Sequence, residues 1–168
     1  MIFQKKIEYE FQKQMEALDD QKVGLAVSGG GDSIAMLVLA SKWAQVKKKT
    51  IQVVTVNHNL RKEAQEEVIF TREFVKKLGF IHTTLEWKRP SDSKNLQSDA
   101  SFARKKLISN WAKLNNIKTV LVAHTLDDQV ETILMRFARG SGVDGLTGMK
   151  KITDLHGNYW FRPLLTTT

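Results

Sequence analysis

Three consecutive glycines, set between a short apolar run and a helical pattern, constrain this chain more than any other feature. The run is Val23-Gly-Leu-Ala-Val27, the loop is Ser28-Gly29-Gly30-Gly31-Asp32-Ser33, and from Ile34 to Gln45 the positions Leu37, Val38 and Ala44 recur on one helical side. The order is strand, loop, helix. Ile51 to Val56 is a second β-branched run, followed by a helix candidate from Glu63 to Leu78, and Phe80 to Trp87 reads as a weaker third strand. The polar stretch from Pro90 to Asp99 reads as a surface loop before a helix marked by Ala103, Leu107, Trp111 and Leu114. Thr119 to Ala123 is the fourth strand and the clearest. Ile7, Phe11, Met15 and Leu18 predict a helix ahead of all of these. Alternating strands and helices predict an α/β fold: a three-layer, Rossmann-like sandwich of about five parallel strands with helices on both faces. Asn158 to Leu165 is expected to add an edge strand, because Pro163 cannot donate to a central ladder.

In such a sheet ligands bind outside the carboxyl ends of the strands, where the glycine loop falls. Three glycines remove the Cβ atoms that would keep backbone N–H groups from an anion, and Ser33 or Asp32 can cap the helix whose positive end then faces it. Asp32 also offers carboxylate oxygens of the kind that hold Mg²⁺ on phosphates. Glycines alone fit a tight turn equally well. Two familiar nucleotide loops fail on spacing: the chain has no GxxxxGK[ST], and a GxGxxG frame begun at Gly29 meets Ile34 at its last glycine.

Charge narrows the partners. The 168 residues carry 26 Lys+Arg against 18 Asp+Glu, a net charge of +8 that favours polyanions. There is no cysteine, which excludes disulfides, thiolate metal sites and Cys or persulfide chemistry. The N-terminus lacks an apolar signal core and no run is long enough to span a bilayer, so a cytoplasmic protein without membrane contact is expected.

A second constellation follows the fourth strand: His124-Thr-Leu-Asp127-Asp128-Gln-Val-Glu131-Thr132. Asp127 and Glu131 stack one turn apart, as do Asp128 and Thr132, near the start of a helix whose buried stripe is expected to be Val130, Ile133, Leu134 and Phe137. Acids at a helix start are favoured by its dipole. His124 stands at the strand end, and together these residues suit Mg²⁺ coordination and orientation of an ATP-activated substrate. Beyond them Arg136 and Arg139 lead into the glycine-rich loop from Gly140 to Gly148, which either approaches a polyanion or turns the chain.

The loop SGGGDS after an apolar strand resembles that of the N-type ATP pyrophosphatases of the PP-loop family. The block HTLDDQVETILMRFARGSGVDGLTGM, with VNHNLR at 56–61, Ala103-Arg104, and Arg162-Pro-Leu-Leu165, is similar to the tRNA(Ile)-lysidine synthetases over nearly the whole chain. The resemblance implies an adenine nucleotide alpha hydrolase-like fold and an ATP-dependent ligase joining free L-lysine to C2 of the wobble cytidine of tRNA(Ile) with a CAU anticodon. Codon reading would change from AUG to AUA, with AMP and pyrophosphate released. It implies ATP held by Ser28, Gly29, Gly30, Gly31, Asp32, Ser33, His58 and His124, with Mg²⁺ on Asp32 and Asp128. Asp32, Asp127, Asp128 and Glu131 would be catalytic, and Arg104, Arg136 and Arg139 would meet substrate or tRNA. Where the family often has VDHGLR, this chain has Asn57 and Asn59.

Family members usually continue past RPLL into further tRNA-binding domains. Residues 1–168 are therefore expected to form one PP-loop catalytic domain of a longer protein, or of a shortened one, that binds ATP without completing the reaction; an oligomer is left open. Two rivals share the loop: a small-molecule ligase of the same class, which leaves the 26-residue block unexplained, and a tRNA thiolase, which the lack of cysteine disfavours. A module that binds ATP or RNA without turnover is the third.

Overall fold

In a computed structural model, residues 2–57, 62–88, 95–140 and 147–167 are described. Five helices and six strands alternate along these segments: α1 (Ile2–Met15), β1 (Lys22–Ala26), α2 (Gly31–Lys47), β2 (Thr50–Asn57), α3 (Lys62–Lys77), β3 (Ile81–Glu86), α4 (Leu96–Leu114), β4 (Thr119–Val122), α5 (Leu126–Ala138), β5 (Ile152–Leu155) and β6 (Asn158–Phe161). One sheet holds all six strands in the order β3-β2-β1-β4-β6-β5. The pairs β3·β2, β2·β1, β1·β4 and β4·β6 are parallel; β5 runs antiparallel to β6.

The predicted α/β sandwich is present, with six strands in place of about five. The added strand is β5, and it takes the edge assigned to the last segment. β6 is interior, bonded to β4 on one side and β5 on the other. Pro163 does not prevent this, because it follows the strand's end at Phe161 and takes no ladder position. The polar stretch after β3 is also shorter as a loop than expected. Asn95 accepts a bond from the Ser98 N–H at 3.2 Å, so α4 begins at Leu96.

Strand alternation divides the core. Val23, Leu25, Val53, Leu121 and Phe161 point to one face, where Phe11 and Met15 of α1, Met36, Leu37 and Ala40 of α2, and Val75 of α3 cover them. Val54, Val120, Val122 and Trp160 point to the other, against Ile108, Trp111 and Ala112 of α4. Central β1 needs Gly24: a Cβ there would meet Trp111 at 3.0 Å and Ile117 at 3.2 Å. The expected stripe of α5 behaves differently, for Val130, Ile133, Leu134 and Phe137 are all exposed and α5 has no buried residue.

Candidate active site

The glycine loop leaves the carboxyl end of β1, and Ser33 ties it. The Ser33 hydroxyl accepts from the N–H groups of Ser28 and Gly29, each at 3.2 Å, and donates to the Gly30 carbonyl at 2.8 Å. Gly29 adopts φ +96°, and a Cβ on it would press on Glu67 at 3.1 Å and Thr71 at 3.2 Å. Gly30 is the N-cap of α2, so neither Ser33 nor Asp32 caps the helix, and among the described residues no side chain does. The uncapped first turn carries the partial positive charge that attracts an anion. A Cβ on Gly31 would meet nothing within 4 Å among the described residues, which leave that space open.

Across the crevice, Thr125 is the N-cap of α5 and Asp128 completes a capping box. One carboxylate oxygen, Asp128 Oδ2, accepts from the Thr125 N–H at 2.7 Å and from its hydroxyl at 3.2 Å. Gln129 fixes the next segment by donating to the Met149 carbonyl at 2.9 Å and accepting from the Met149 N–H at 2.5 Å.

Between loop and helix lies a cavity of about 460 Å³, bordered by Ser28, Asp32, Ser33, Arg104, His124 and Asp128. Five elements or their ends supply these groups, and β2, α3 and β6 add to the cavity's walls. Among the described residues the buried His124 Nδ1 has no hydrogen-bond partner, nor have the Trp160 indole N–H and the Arg162 Nε–H. Burial lowers the His124 pKa to about 4, helped by the positive charges of Arg162, Arg104 and Lys105 and opposed by Asp128. Its imidazole is neutral at neutral pH. Burial also lowers the pKa values of Arg104 and Arg162, although guanidinium remains charged.

Of the residues singled out in the sequence, the cavity therefore unites Ser28, Asp32, Ser33, Arg104, His124 and Asp128, with Gly29, Gly30 and Gly31 in the connecting loop. Asp127, Glu131 and Arg139 are exposed on α5 or at its end, outside the lining. Arg136 donates to the Thr147 carbonyl. His58, Asn59 and Arg61, and residues 141–146 of the second glycine-rich loop, lie outside the described residues. Among the described residues no three His, Cys, Asp or Glu side chains group as a metal site.

Sequence reasoning missed Asn57, Glu67 and Trp160, which line the cavity. Asn57 ends β2 and its amide donates to Glu86 at 3.3 Å, so an aspartate there would set two carboxylates against each other. Its place in VNHNLR, at the end of a strand, was the available signal. Trp160 was hidden by the assignment of its strand to the edge.

An uncapped, glycine-opened helix start at the switch between β1 and β4, facing a cavity with arginines and carboxylates, defines a nucleotide-binding α/β domain. The chain matches the family model of the PP-loop domain, an ATP-binding family, over residues 3–168, and belongs to that family. It is 46% identical over 151 residues to a tRNA(Ile)-lysidine synthase of Wolbachia pipientis wMel, a match covering 89% of this chain and 35% of that protein. A tRNA(Ile)-lysidine synthase of Ruegeria pomeroyi is 40% identical over 155 residues, covering 92% of this chain and 37% of that one. The chain thus spans little more than a third of these relatives. Among solved structures, the U34-tRNA thiolase NcsA from Methanococcus maripaludis with its [4Fe-4S] cluster superposes with TM-score 0.83 at 18% identity, over 99% of this chain and 61% of that chain. The likeness is one of fold, since this chain has no cysteine to hold such a cluster.

Proposed function

We propose that residues 1–168 form the PP-loop catalytic domain of a cytoplasmic tRNA(Ile)-lysidine synthase. The observation that supports this most is the meeting of the glycine loop, Arg104, His124 and Asp128 around one cavity, in a chain whose relatives carry that activity in their names. In this reading the open first turn of α2 and the hydroxyls of Ser28 and Ser33 bind the pyrophosphate end of ATP. The C2 carbonyl oxygen of the wobble cytidine attacks the α-phosphorus, and the bond to pyrophosphate breaks. The ε-amine of free lysine then attacks C2, the C2–O bond breaks, and AMP leaves. The amine's proton passes to a carboxylate of the set Asp127, Asp128 and Glu131, of which Asp128 lines the cavity. No covalent protein nucleophile is needed, because positioning and charge stabilisation carry phosphoryl chemistry.

Asp32 and Asp128, which both line the cavity, offer hard oxygen donors of the kind that suit Mg²⁺, and the rest of its shell would come from phosphate and water. Such an ion neutralises charge that develops on the phosphates. Asp32 holds its carboxylate at the loop, whereas Asp128 is oriented by the Thr125 cap. Arg104 and the neutral His124 orient the nucleotide or the entering cytidine, and Arg136 and Arg139 meet tRNA phosphates.

Nucleoside mass spectrometry tests this with tRNA(Ile), ATP, Mg²⁺, lysine and the intact gene product. Lysidine at the wobble position is expected. ATP consumption directed at another acceptor, with cytidine unchanged, would indicate a different PP-loop ligase; nucleotide binding without turnover would indicate a binding module.

A further inference from the structure

α5 carries Leu126, Val130, Ile133, Leu134 and Phe137 along one side, the spacing of a stripe that globular proteins bury. Here their side chains are 37%, 49%, 36%, 60% and 70% exposed, and Met135 beside them is 48% exposed. Among the described residues α5 has no extensive packing on any other helix or strand. It is held at points: the Thr125–Asp128 box, the Gln129–Met149 pair, Arg136 on the Thr147 carbonyl, and the Leu126 N–H on the Thr167 carbonyl at 2.9 Å. These contacts place the helix without covering its stripe. A free helix of 13 residues is marginal in water, and among the described residues α5 lacks a packing partner for its stripe.

We infer that this stripe is the docking surface for a polypeptide segment from the part of the relatives that this chain does not span, arriving as an amphipathic helix. The first argument is length: the match covers 35% and 37% of the two relatives, leaving most of each outside it. The second is placement. Thr167 is bonded to the first residue of α5, so a chain running on from there starts against the stripe, whose helix is only about 20 Å long. The third is charge: Asp127 and Glu131 flank the stripe at one end and Arg136 and Arg139 at the other, which orients an incoming helix of opposite charge order. Docking would settle α5 and with it Asp128, on the side of the helix that borders the cavity. The inference rests on the packing of α5 and stands or falls apart from the lysidine reading.

The 168-residue chain is to be mixed with the unmatched remainder of the Wolbachia pipientis relative, expressed as a separate polypeptide, and binding followed by calorimetry and light scattering. A one-to-one complex is expected, weakened at least about 100-fold by Leu134→Glu and by Phe137→Glu. The midpoint of unfolding of the isolated chain should not move, since both side chains are already in water. Lack of a complex, or a complex indifferent to both variants, overturns the inference provided the remainder is folded by circular dichroism. So does a dimer of the isolated chain that Leu134→Glu dissociates, because the stripe then pairs with a second copy. Hydrogen exchange in the intact relative covers a remainder that does not fold: amides of its helix matching α5 should exchange at least about 100-fold more slowly than those of α5 in this chain. Equal rates would overturn the inference.

Discussion

Two strand–loop–helix units face each other across the cavity, and they are stabilised in opposite ways. In β1–α2 the helix buries Ser33, Met36, Leu37, Ala40, Ser41, Trp43 and Ala44 against the sheet, so the glycine loop rides on a packed scaffold. In β4–α5 the strand is fully buried but no residue of the helix is. Its acids are positioned by a capping box and a few tertiary bonds. A phosphate cradle must hold its shape before ligand arrives, and α2 supplies that rigidity from this chain alone. Asp128 depends on a helix whose apolar side is open, so its position is set partly by whatever covers that side.

The comparison breaks most directly in the two helices' leucines. Leu37→Ala in α2 removes a fully buried side chain and should cost about 2–5 kcal/mol in equilibrium denaturation. Leu134→Ala in α5 should stay within about 0.5 kcal/mol, the usual range for a surface change. Equal losses would mean that α5 is packed after all.

Next in size is a pH effect at the boundary between the units, where His124 sits. Above pH 6.5 the imidazole is neutral folded and unfolded, so its contribution is fully present. Below that the unfolded chain takes up a proton that the folded one refuses until about pH 4, and stability is lost through this window. The shift corresponds to at most roughly 3 kcal/mol. His82, also lowered by burial and by Arg72, acts in the same direction. His124→Asn should flatten the decline between pH 6.5 and 4 without abolishing it; an unchanged slope in chemical denaturation would show that His124 does not carry it.

The difference between the units also marks what was legible from residues alone. Apolar runs of β-branched residues found β1, β2 and β4, because central strands are buried on both faces and need no partner information. Helical spacing found α2 and the stripe of α5 with equal clarity, yet only one is buried: period says which side is apolar and not what covers it. Pro163 misplaced β6, since the residue lies beyond the strand and the ladder never tests its missing N–H. The cavity gathered Asp32, Arg104, His124 and Asp128 from motifs; Asn57 stood in VNHNLR only as a departure from the family pattern, and Trp160 carries no motif and enters only through strand register.

A smaller effect separates structure from chemistry at Asp128. Asn keeps the shape and an acceptor for the Thr125 cap, so Asp128→Asn should cost no more than about 1 kcal/mol. If the carboxylate also holds Mg²⁺, the same variant should lose the Mg²⁺-dependent part of ATP affinity, about 10-fold or more in titrations with and without the metal. Equal Mg²⁺ dependence in variant and wild type would leave Asp128 as a cap alone.

The smallest expected change in stability lies in the packed unit, at Gly31, and it isolates the ligand's demand for space. Gly31 is the first residue of α2, its φ is not positive, and an added Cβ meets no atom of the described residues within 4 Å. Alanine should therefore fold as well as glycine or stabilise the chain by up to about 1 kcal/mol, since it restricts the unfolded state. Gly29→Ala is the contrast, because φ +96° and the crowding of Glu67 and Thr71 make it destabilising whether or not ATP binds. If backbone N–H groups of the α2 first turn press against phosphate, Gly31→Ala should weaken ATP in calorimetry by about 10-fold or more, a loss of about 1.4 kcal/mol, while the unfolding midpoint holds or rises. That pattern requires the extra methyl to meet something present only in the complex. Unchanged ATP affinity in Gly31→Ala would mean that the phosphates stand away from this turn.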